Sequence, residues 1–201
     1  DSDPSRGLGD VYKRQAILVR KVTSKPILLM QGIYTESEIK TAKENNIQVV
    51  IHKMSQFKLI GKNDSELGLW IKINTGMNRL GLSQEELKLV YKKGIIGSDS
   101  VLMTHMACGD DPDDPMNKMQ INNFEKAFNL VERKTKRSIS NSACLINFPE
   151  LSFDWIRSGI AAYGGEFKDL NLKTAMTFRA PIISIRNILS LIHISEPTRR
   201  I

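Results

Sequence analysis

Two stretches of the sequence place charged or titratable side chains where predicted strands end. WIKINTGMNRLGL (70–82) has Lys72 in a strand and Arg79 in the loop that follows it. MTHMACGDDPDDP (103–115) ends a strand at His105 and continues into an acidic loop. Side chains at the carboxyl ends of successive parallel strands lie near one another, so these residues are candidates for one binding or catalytic site.

A third stretch, SISNSACLINFPELSFDWIRSGIAAYGG (138–165), has the features of a phosphate site. Ser142 follows one predicted strand, and Gly159 and Ile160 follow the next. A hydroxyl and two freely exposed backbone N–H groups can point at one dianion, and late barrel strands often supply such a site. Each part is common alone, but the combination at adjacent strand ends predicts phosphate binding.

The acidic loop and the two cysteines do not predict further chemistry. Pro112 and Pro115 interrupt the run of aspartates, and neither EF-hand spacing nor a histidine pair is present, so we predict an exposed loop and no metal site. Cys108 and Cys144 have no general-base partner nearby in sequence and are interpreted as free thiols.

Composition places the chain among soluble globular proteins. Its 201 residues are 41% apolar and 25% charged, and no apolar run approaches the length of a membrane span. The net charge of +7 is spread along the chain beside acidic residues, so neither nucleic acid nor a membrane is a predicted partner. Two unpaired cysteines fit a reducing cytoplasm.

Short apolar runs alternate with amphipathic segments along the chain. The predicted strands are 26–33, 47–52, 67–76, 100–108, 138–143 and 153–164. The predicted helices are 35–46, 55–64, 83–93 and about 115–134, with a short helix before residue 153. Thr35 with Glu38 and Ser83 with Glu86 have capping-box spacing. Strands that are apolar throughout indicate a parallel sheet covered on both faces, and therefore an α/β fold.

The pattern favours a closed barrel over an open doubly wound sheet, which is kept as the alternative. No GxGxxG motif follows the first strand. Polar residues instead lie at the carboxyl ends of many strands, which is typical of a barrel mouth. These residues are His52, Asn74, His105, Asn141 and Arg157.

The motifs KINTGMNRLGL, THMAC, SNSACL and WIRSGIAAYG, in this order and spacing, resemble alanine racemase. The resemblance implies a partial TIM (β/α)8 barrel, units three to eight, over 16–172, and the first strand of a C-terminal β domain over 173–188. The ends, 1–15 and 189–201, have no pattern continuous with their neighbours and are predicted to be non-native tails.

The resemblance also implies pyridoxal 5′-phosphate as cofactor and a role for each site residue. Arg157 matches the arginine that faces the pyridine nitrogen, and His105 matches a histidine packed against the cofactor ring. Asn141 supports the local hydrogen bonds. The phosphate-binding residues implied are Ser142, Gly159 and Ile160.

Two further residues are matched to the substrate side of the site. Arg79 corresponds to the arginine that reaches the substrate carboxylate. Lys72 corresponds to a lysine that is carbamylated in many relatives; the repulsion of two cations lowers a lysine pKa and favours the amine that reacts with carbon dioxide. Asn74 stands where many relatives have Asp, so one charge near the site is lost.

By resemblance, the parent protein interconverts L-alanine and D-alanine for peptidoglycan as a homodimer with shared active sites. The Schiff-base lysine lies upstream of this chain and the catalytic tyrosine downstream, so no catalytic base is assigned here and the fragment is predicted to be inactive. Serine or broad-specificity racemases share these motifs. A non-catalytic pyridoxal-phosphate carrier, which ends near the last barrel unit, is the alternative. The segment 175–188 continues past the barrel as a strand-like stretch, and this favours the racemase over the carrier.

Overall fold

The computed structural model describes residues 13–60, 67–165, 170–175, 177 and 179–185. Five parallel strands form one sheet within these residues. The strands are β1 (Ile27–Leu29), β2 (Ile47–Ile51), β3 (Leu69–Lys72), β4 (Val101–Met103) and β5 (Lys136–Ser138). Strands β1 to β4 lie inside their predicted runs, because the buried apolar residues form only the centre of each run, whereas β5 overlaps its predicted run only at Ser138.

Helices connect the strands and cover one face of the sheet. They are α1 (13–20), α2 (Glu36–Glu44), α3 (Met54–Leu59), α4 (Gln84–Lys92), α5 (Pro115–Leu130) and α6 (Ser142–Asn147). Both predicted capping boxes mark helix starts: the Thr35 amide donates to Glu38 Oε2 at 3.2 Å, and the Ser83 amide donates to Glu86 Oε2 at 2.9 Å.

The order of the strands distinguishes between the two predicted architectures. Neighbouring strands follow the chain, β1-β2-β3-β4-β5, and every pair is parallel. A doubly wound sheet reverses direction at a switch point, whereas a barrel adds strands in one direction. The observed order is that of a barrel, and the α/β class is confirmed. The numbering of its units as three to eight stays a prediction.

The two faces of the sheet have different packing partners. Ile51, Ile71 and Leu102 point to the helices and belong to the large core, which also contains Phe124 of α5. The opposite face has a smaller apolar cluster, whose buried members are Val50, Trp70, Val101 and Met103. Because side chains alternate along a strand, Lys72 shares this inner face with Trp70.

Three predicted elements differ in extent from the observed ones. The strand predicted over 138–143 ends at Ser138, because Asn141 caps α6 and the chain turns there into a helix. The helix predicted to reach residue 134 ends at Leu130, since Glu132 and Arg133 have left-handed backbone angles, φ 52° and 55°, that no helix continues. For the helix predicted over 55–64, residues 61–64 lie outside the described part.

The strand predicted over 153–164 is irregular. Two main-chain hydrogen bonds nevertheless align it with β5, from Trp155 N to Arg137 O at 3.2 Å and from Arg157 N to Ser140 O at 3.0 Å. The Ser138 hydroxyl donates to Trp155 O, an acceptor that a regular ladder would use for a backbone amide. The segment therefore occupies the position of the next strand and then enters a 3-10 turn, Ile160–Tyr163.

The ends of the chain are described only in part. Helix α1 includes residues 13–15 of the predicted tail, and Lys13 Nζ lies 3.8 Å from Glu38 Oε1. The described residues of the predicted β-domain strand, 173–175, 177 and 179–185, have no strand conformation. The non-native tails and the β-domain strand stay predictions. No helix in the described part of the chain is long and apolar enough to cross a bilayer.

Candidate active site

The predicted site residues converge at the carboxyl ends of the strands. Lys72 is the last residue of β3, and His105 follows β4 by two residues. Arg157 lies beside β5 on the inner face. After burial, the charge of Arg79, from the loop after β3, and that of Arg157 lower the pKa of Lys72, and the charges of Arg157, Arg79 and Lys72 lower the pKa of His105. The structure therefore brings together residues that are 85 positions apart in sequence.

The Arg157 guanidinium donates hydrogen bonds to residues at the ends of both β4 and β5. Its Nη1 donates to Ser138 Oγ at 2.5 Å, and its Nη2 donates to Thr104 O at 2.5 Å and to Ile139 O at 3.4 Å. Burial lowers the pKa of Arg157 to about 10, which still leaves the guanidinium charged at neutral pH. Its Nε–H and one Nη1 hydrogen have no acceptor within the described residues and are available to a ligand.

The residues predicted to bind phosphate form one compact group. Ser142, the first residue of α6, accepts a hydrogen bond at its Oγ from Ala161 N at 3.2 Å. This contact places the hydroxyl against the 3-10 turn that Gly159 and Ile160 begin. The amides of Gly159 and Ile160 have no acceptor among the described residues, and the space beside the Gly159 Cα is open. The group can donate a hydroxyl and two amides to an anion.

Asn141 supports this group from behind. Its Oδ1 accepts from Cys144 N at 2.9 Å and so caps α6, while its Nδ2 donates to Met106 O at 3.0 Å. The side chain therefore fixes the start of α6, and with it Ser142, to the segment that follows β4. These contacts give Asn141 a positioning function.

Lys72 is buried, and its surroundings disfavour a charge. Burial, followed by the positive charges of Arg79 and Arg157, lowers the pKa of the Lys72 ammonium. The same cations act on His105, where burial and then Arg157, Arg79 and Lys72 lower the pKa to about 4. The imidazole is therefore neutral at physiological pH. A small pocket lies between Lys72, Arg79 and His105, lined also by Asn74, and no carboxylate of the described residues lines it.

Asn74 shapes the loop that carries Arg79. Its Oδ1 accepts from the amides of Gly76 and Asn78, at 3.1 and 3.0 Å, and its Nδ2 donates to Asn78 Oδ1. These contacts form a tight Asx turn around Gly76 and Asn78, which has φ 56°. The oxygen of the amide performs the acceptor role that a carboxylate would have here, so the turn does not depend on the charge.

His52 belongs to a separate network at the end of β2. Its Nε2 lies 3.2 Å from Gln31 O and 3.3 Å from Gln56 Nε2, and Gln56 Oε1 accepts from the His52 amide at 2.8 Å. Burial is the main reason that the pKa of His52 is lowered. The contacts hold the loop after β1 against β2, so this histidine is structural in the present arrangement.

The acidic loop forms turns at the start of α5. Asp114 Oδ1 accepts from Met116 N at 2.7 Å and caps the helix. No group of three side chains suited to a metal ion occurs among the described residues. Cys108 and Cys144 are free thiols, and burial raises the pKa of Cys144, which disfavours a reactive thiolate.

Polar residues of α5 are the part of the site that sequence patterns missed. Asn117, Gln120 and Asn123, spaced by three residues, all donate to backbone carbonyls of the loops after β3 and β4. The apolar residues Phe124 and Phe128 predicted the helix but not this stripe. The sequence did contain a signal for this stripe, because amide side chains recur every three residues on the face of the amphipathic helix that is expected to be buried.

Comparisons with known proteins agree with this architecture. The family profile described as "Alanine racemase, N-terminal domain" matches residues 5–166. The alanine racemase of Vesicomyosocius okutanii is 40% identical over 181 residues, which cover 87% of this chain and 50% of that protein. The alanine racemase of Coxiella burnetii is 36% identical over 193 residues, with coverage of 86% and 52%.

Solved structures that resemble this chain are also those of alanine racemases. The alanine racemase of Acinetobacter baumannii superposes with a TM-score of 0.69 at 32% identity, over 76% of this chain and 44% of that one. The Bartonella henselae alanine racemase, whose structure has covalently bound pyridoxal phosphate, superposes with a TM-score of 0.70 at 25% identity, over 80% and 50%.

Parallel strands in sequential order, with a cation-rich rim at their carboxyl ends, define a β/α-barrel domain. Since the family profile covers well over half of the sequence, the chain belongs to the alanine racemase family. It spans about half the length of the relatives that it matches.

Proposed function

We propose that the chain is the barrel part of an alanine racemase that interconverts L-alanine and D-alanine with pyridoxal 5′-phosphate as cofactor. The observation that carries this proposal is the convergence of Ser142, Arg157 and the amides of Gly159 and Ile160 at one rim of the sheet. Pyridoxal 5′-phosphate has a phosphate dianion and a pyridine nitrogen, and hydrogen-bond donors of these kinds would hold both groups.

The donor set fits the phosphate end of the cofactor. Within the described part of the chain, the Ser142 hydroxyl donates to no acceptor, while its Oγ accepts from Ala161 N. The two amides at the start of the 3-10 turn have no acceptor among the described residues, and the space beside the Gly159 Cα is open. Backbone amides and a hydroxyl bind a dianion without a counter-charge of their own. We assign the phosphate to Ser142, Gly159 and Ile160.

Arg157 fits the ring nitrogen. Three of its N–H groups are fixed by Ser138, Thr104 and Ile139, and these contacts hold the guanidinium in one orientation. Because the group keeps its proton at neutral pH, it donates a hydrogen bond to the nitrogen and does not protonate it. His105, neutral at this pH, offers a flat ring to pack against the cofactor.

Arg79 and Lys72 fit the substrate end. We assign the substrate carboxylate to Arg79, since a guanidinium binds a carboxylate with two parallel hydrogen bonds. We assign Lys72 as a carbamylated residue. Its lowered pKa increases the fraction of neutral amine, and a carbamate in its place would introduce a negative charge between Arg79 and Arg157.

When bound, pyridoxal phosphate supplies an electron sink for the charge that forms at the substrate Cα. Racemisation also requires one base on each face of the substrate. Among the described residues, neither a tyrosine nor a carboxylate lines the pocket beside Lys72, and His105, whose neutral imidazole lines it, is assigned to packing against the cofactor ring. We therefore expect the 201-residue chain alone to produce no D-alanine from L-alanine, and racemisation by the purified chain would contradict this expectation.

We further propose that the complete protein acts as a cytoplasmic homodimer with shared active sites and supplies D-alanine for peptidoglycan. The support is membership of the alanine racemase family. We propose alanine as the substrate, although the carboxylate that Arg79 would bind is the same in alanine and serine. Kinetic comparison of the two substrates with the complete protein tests that assignment.

The proposal is tested by binding of pyridoxine 5′-phosphate, an alcohol that cannot form a Schiff base with surface lysines. We expect Ser142→Ala to weaken binding in isothermal titration calorimetry about tenfold, since a hydrogen bond to a charged group contributes about 1.5 kcal/mol. Ser100→Ala is the matched control: both serines are 6% exposed, but Ser100 precedes β4 at the opposite rim. Equal affinities for the two variants would refute the phosphate assignment.

A further inference from the structure

Gln120 is an unusual residue at its position in α5. It is 0% exposed on a helix face whose other buried members include Phe124 and Ala127. Burial of an amide is unfavourable unless its hydrogen bonds are formed inside the protein. Gln120 forms three such bonds, and all of them are to residues of the loops that carry the active-site side chains.

Two of these bonds fix the backbone on both sides of Met106. Gln120 Nε2 donates to His105 O at 2.9 Å, and Gln120 Oε1 accepts from Ala107 N at 2.8 Å. A single planar amide therefore holds one carbonyl and one N–H that are two residues apart. This restricts the peptide planes after His105 and, through them, the direction of the His105 side chain.

The third bond leads toward Arg157. Gln120 Nε2 donates to Thr75 Oγ1 at 3.0 Å, and Thr75 Oγ1 lies 2.8 Å from Thr104 Oγ1. Thr104 O is the acceptor of Arg157 Nη2. Gln120 therefore reaches, through two buried threonines, the residue that orients the guanidinium.

We propose that Gln120 is a positioning residue, which sets the orientation of the His105 ring through the backbone and that of the Arg157 guanidinium through Thr75 and Thr104. The importance of this for catalysis rests on the proposed function, but the positioning itself is a property of the unliganded chain. Gln120 touches neither reacting atoms nor, by this assignment, the cofactor.

The test compares Gln120→Met with Asn117→Leu in the 201-residue chain without ligand. Both variants replace a buried amide of α5 by an apolar side chain of similar size, and Asn117 is 2% exposed. Asn117, however, binds Cys108 O and Asp111 O, away from His105. The readouts are NMR titration of the His105 imidazole, one of three histidines, and the side-chain N–H signals of Arg157.

We expect Gln120→Met to raise the pKa of His105 by about one unit, because a less fixed ring gains water and moves from the cations. We also expect faster exchange of the Arg157 side-chain protons. Asn117→Leu should leave both signals as in the wild type. Unchanged His105 and Arg157 signals in folded Gln120→Met would overturn the proposal and leave Gln120 a structural residue.

If Gln120→Met does not fold, Thr75→Val decides the question. This shape-conserving change removes the hydroxyl between Gln120 and Thr104 and leaves the bond to His105 O intact. Faster exchange at Arg157 supports the proposal, and wild-type exchange overturns it. Because these measurements use no cofactor, they are independent of pyridoxine 5′-phosphate binding, on which the proposed function depends.

Discussion

The lowered proton affinity of His105 has a measurable effect on stability. Burial and the charges of Arg157, Arg79 and Lys72 lower its pKa from 6.5 to about 4. Below pH 6.5 the unfolded chain therefore binds a proton that the folded chain does not. The free energy of unfolding then falls as the pH falls, and the contribution is fully present only above pH 6.5.

The size of this loss of stability follows from the pH range between the two pKa values of His105, 6.5 and about 4. Each pH unit in which only the unfolded state is protonated costs about 1.4 kcal/mol. Acidification from pH 7 to pH 5 should therefore remove about 2 kcal/mol of stability through His105, and roughly 3 kcal/mol is removed by pH 4. The His105→Asn variant cannot titrate at this position and should lack this part of the pH dependence.

Urea unfolding of the wild type and of His105→Asn at pH 7, pH 6 and pH 5, in bicarbonate-free buffer that keeps Lys72 as the unmodified amine, measures the difference. The stability gap between the two proteins should change by about 2 kcal/mol across the series, in favour of the variant at low pH. A gap that is constant with pH, or an NMR titration of the His105 imidazole near pH 6.5, would refute the placement of this ring among the three cations.

Three further predictions concern the site and the core. Lys72→Met should raise the urea midpoint at pH 7 in bicarbonate-free buffer, because the lowered pKa of Lys72 means that its charged form destabilises the fold. The gain in stability should vanish as the pH approaches 10.5. A destabilised variant would contradict this prediction. Gly81→Ala should cost about 2 kcal/mol, since φ is 131° and a Cβ would clash with the backbone N of Asn74, whereas Gly97→Ala, with open space, should cost little; equal midpoints would exclude the strain. Phe124→Ala should cost about 3–5 kcal/mol in the same assay, against less than about 1 kcal/mol for the exposed Met119→Ala; similar costs would place Phe124 outside the core.

Helix starts and strands were predictable where they depend on residues that are close together in sequence. Ser83 and Glu86 predicted the start of α4, and Ser83 Oγ accepts from the Glu86 amide. Apolar runs predicted five strands because parallel strands are buried on both faces. The end of α5 could not be read in this way, since it depends on left-handed angles at Glu132 and Arg133, residues without a sequence preference for that conformation.

The site was predictable as a set of residues but not as a network. The motifs placed Lys72, His105 and Arg157 at strand ends, and the structure brings their charges together. The hydrogen bonds of Gln120 and Asn123 to the loops span 13 to 48 residues, and no local pattern specifies such partners. Gln120 is recognisable in sequence only as a polar residue at a position where burial favours an apolar one.

The central claim is that Ser142, Gly159, Ile160 and Arg157 share one ligand at the carboxyl rim of the sheet. The most direct measurement is a backbone-assigned 1H–15N correlation spectrum of the chain titrated with pyridoxine 5′-phosphate. The largest amide shifts should occur at Gly159, Ile160 and Ser142, with concurrent shifts of the Arg157 side chain. Shifts concentrated at Gly97 and Ser100, on the opposite rim, or absent from the 3-10 turn at saturating ligand, would contradict the assignment.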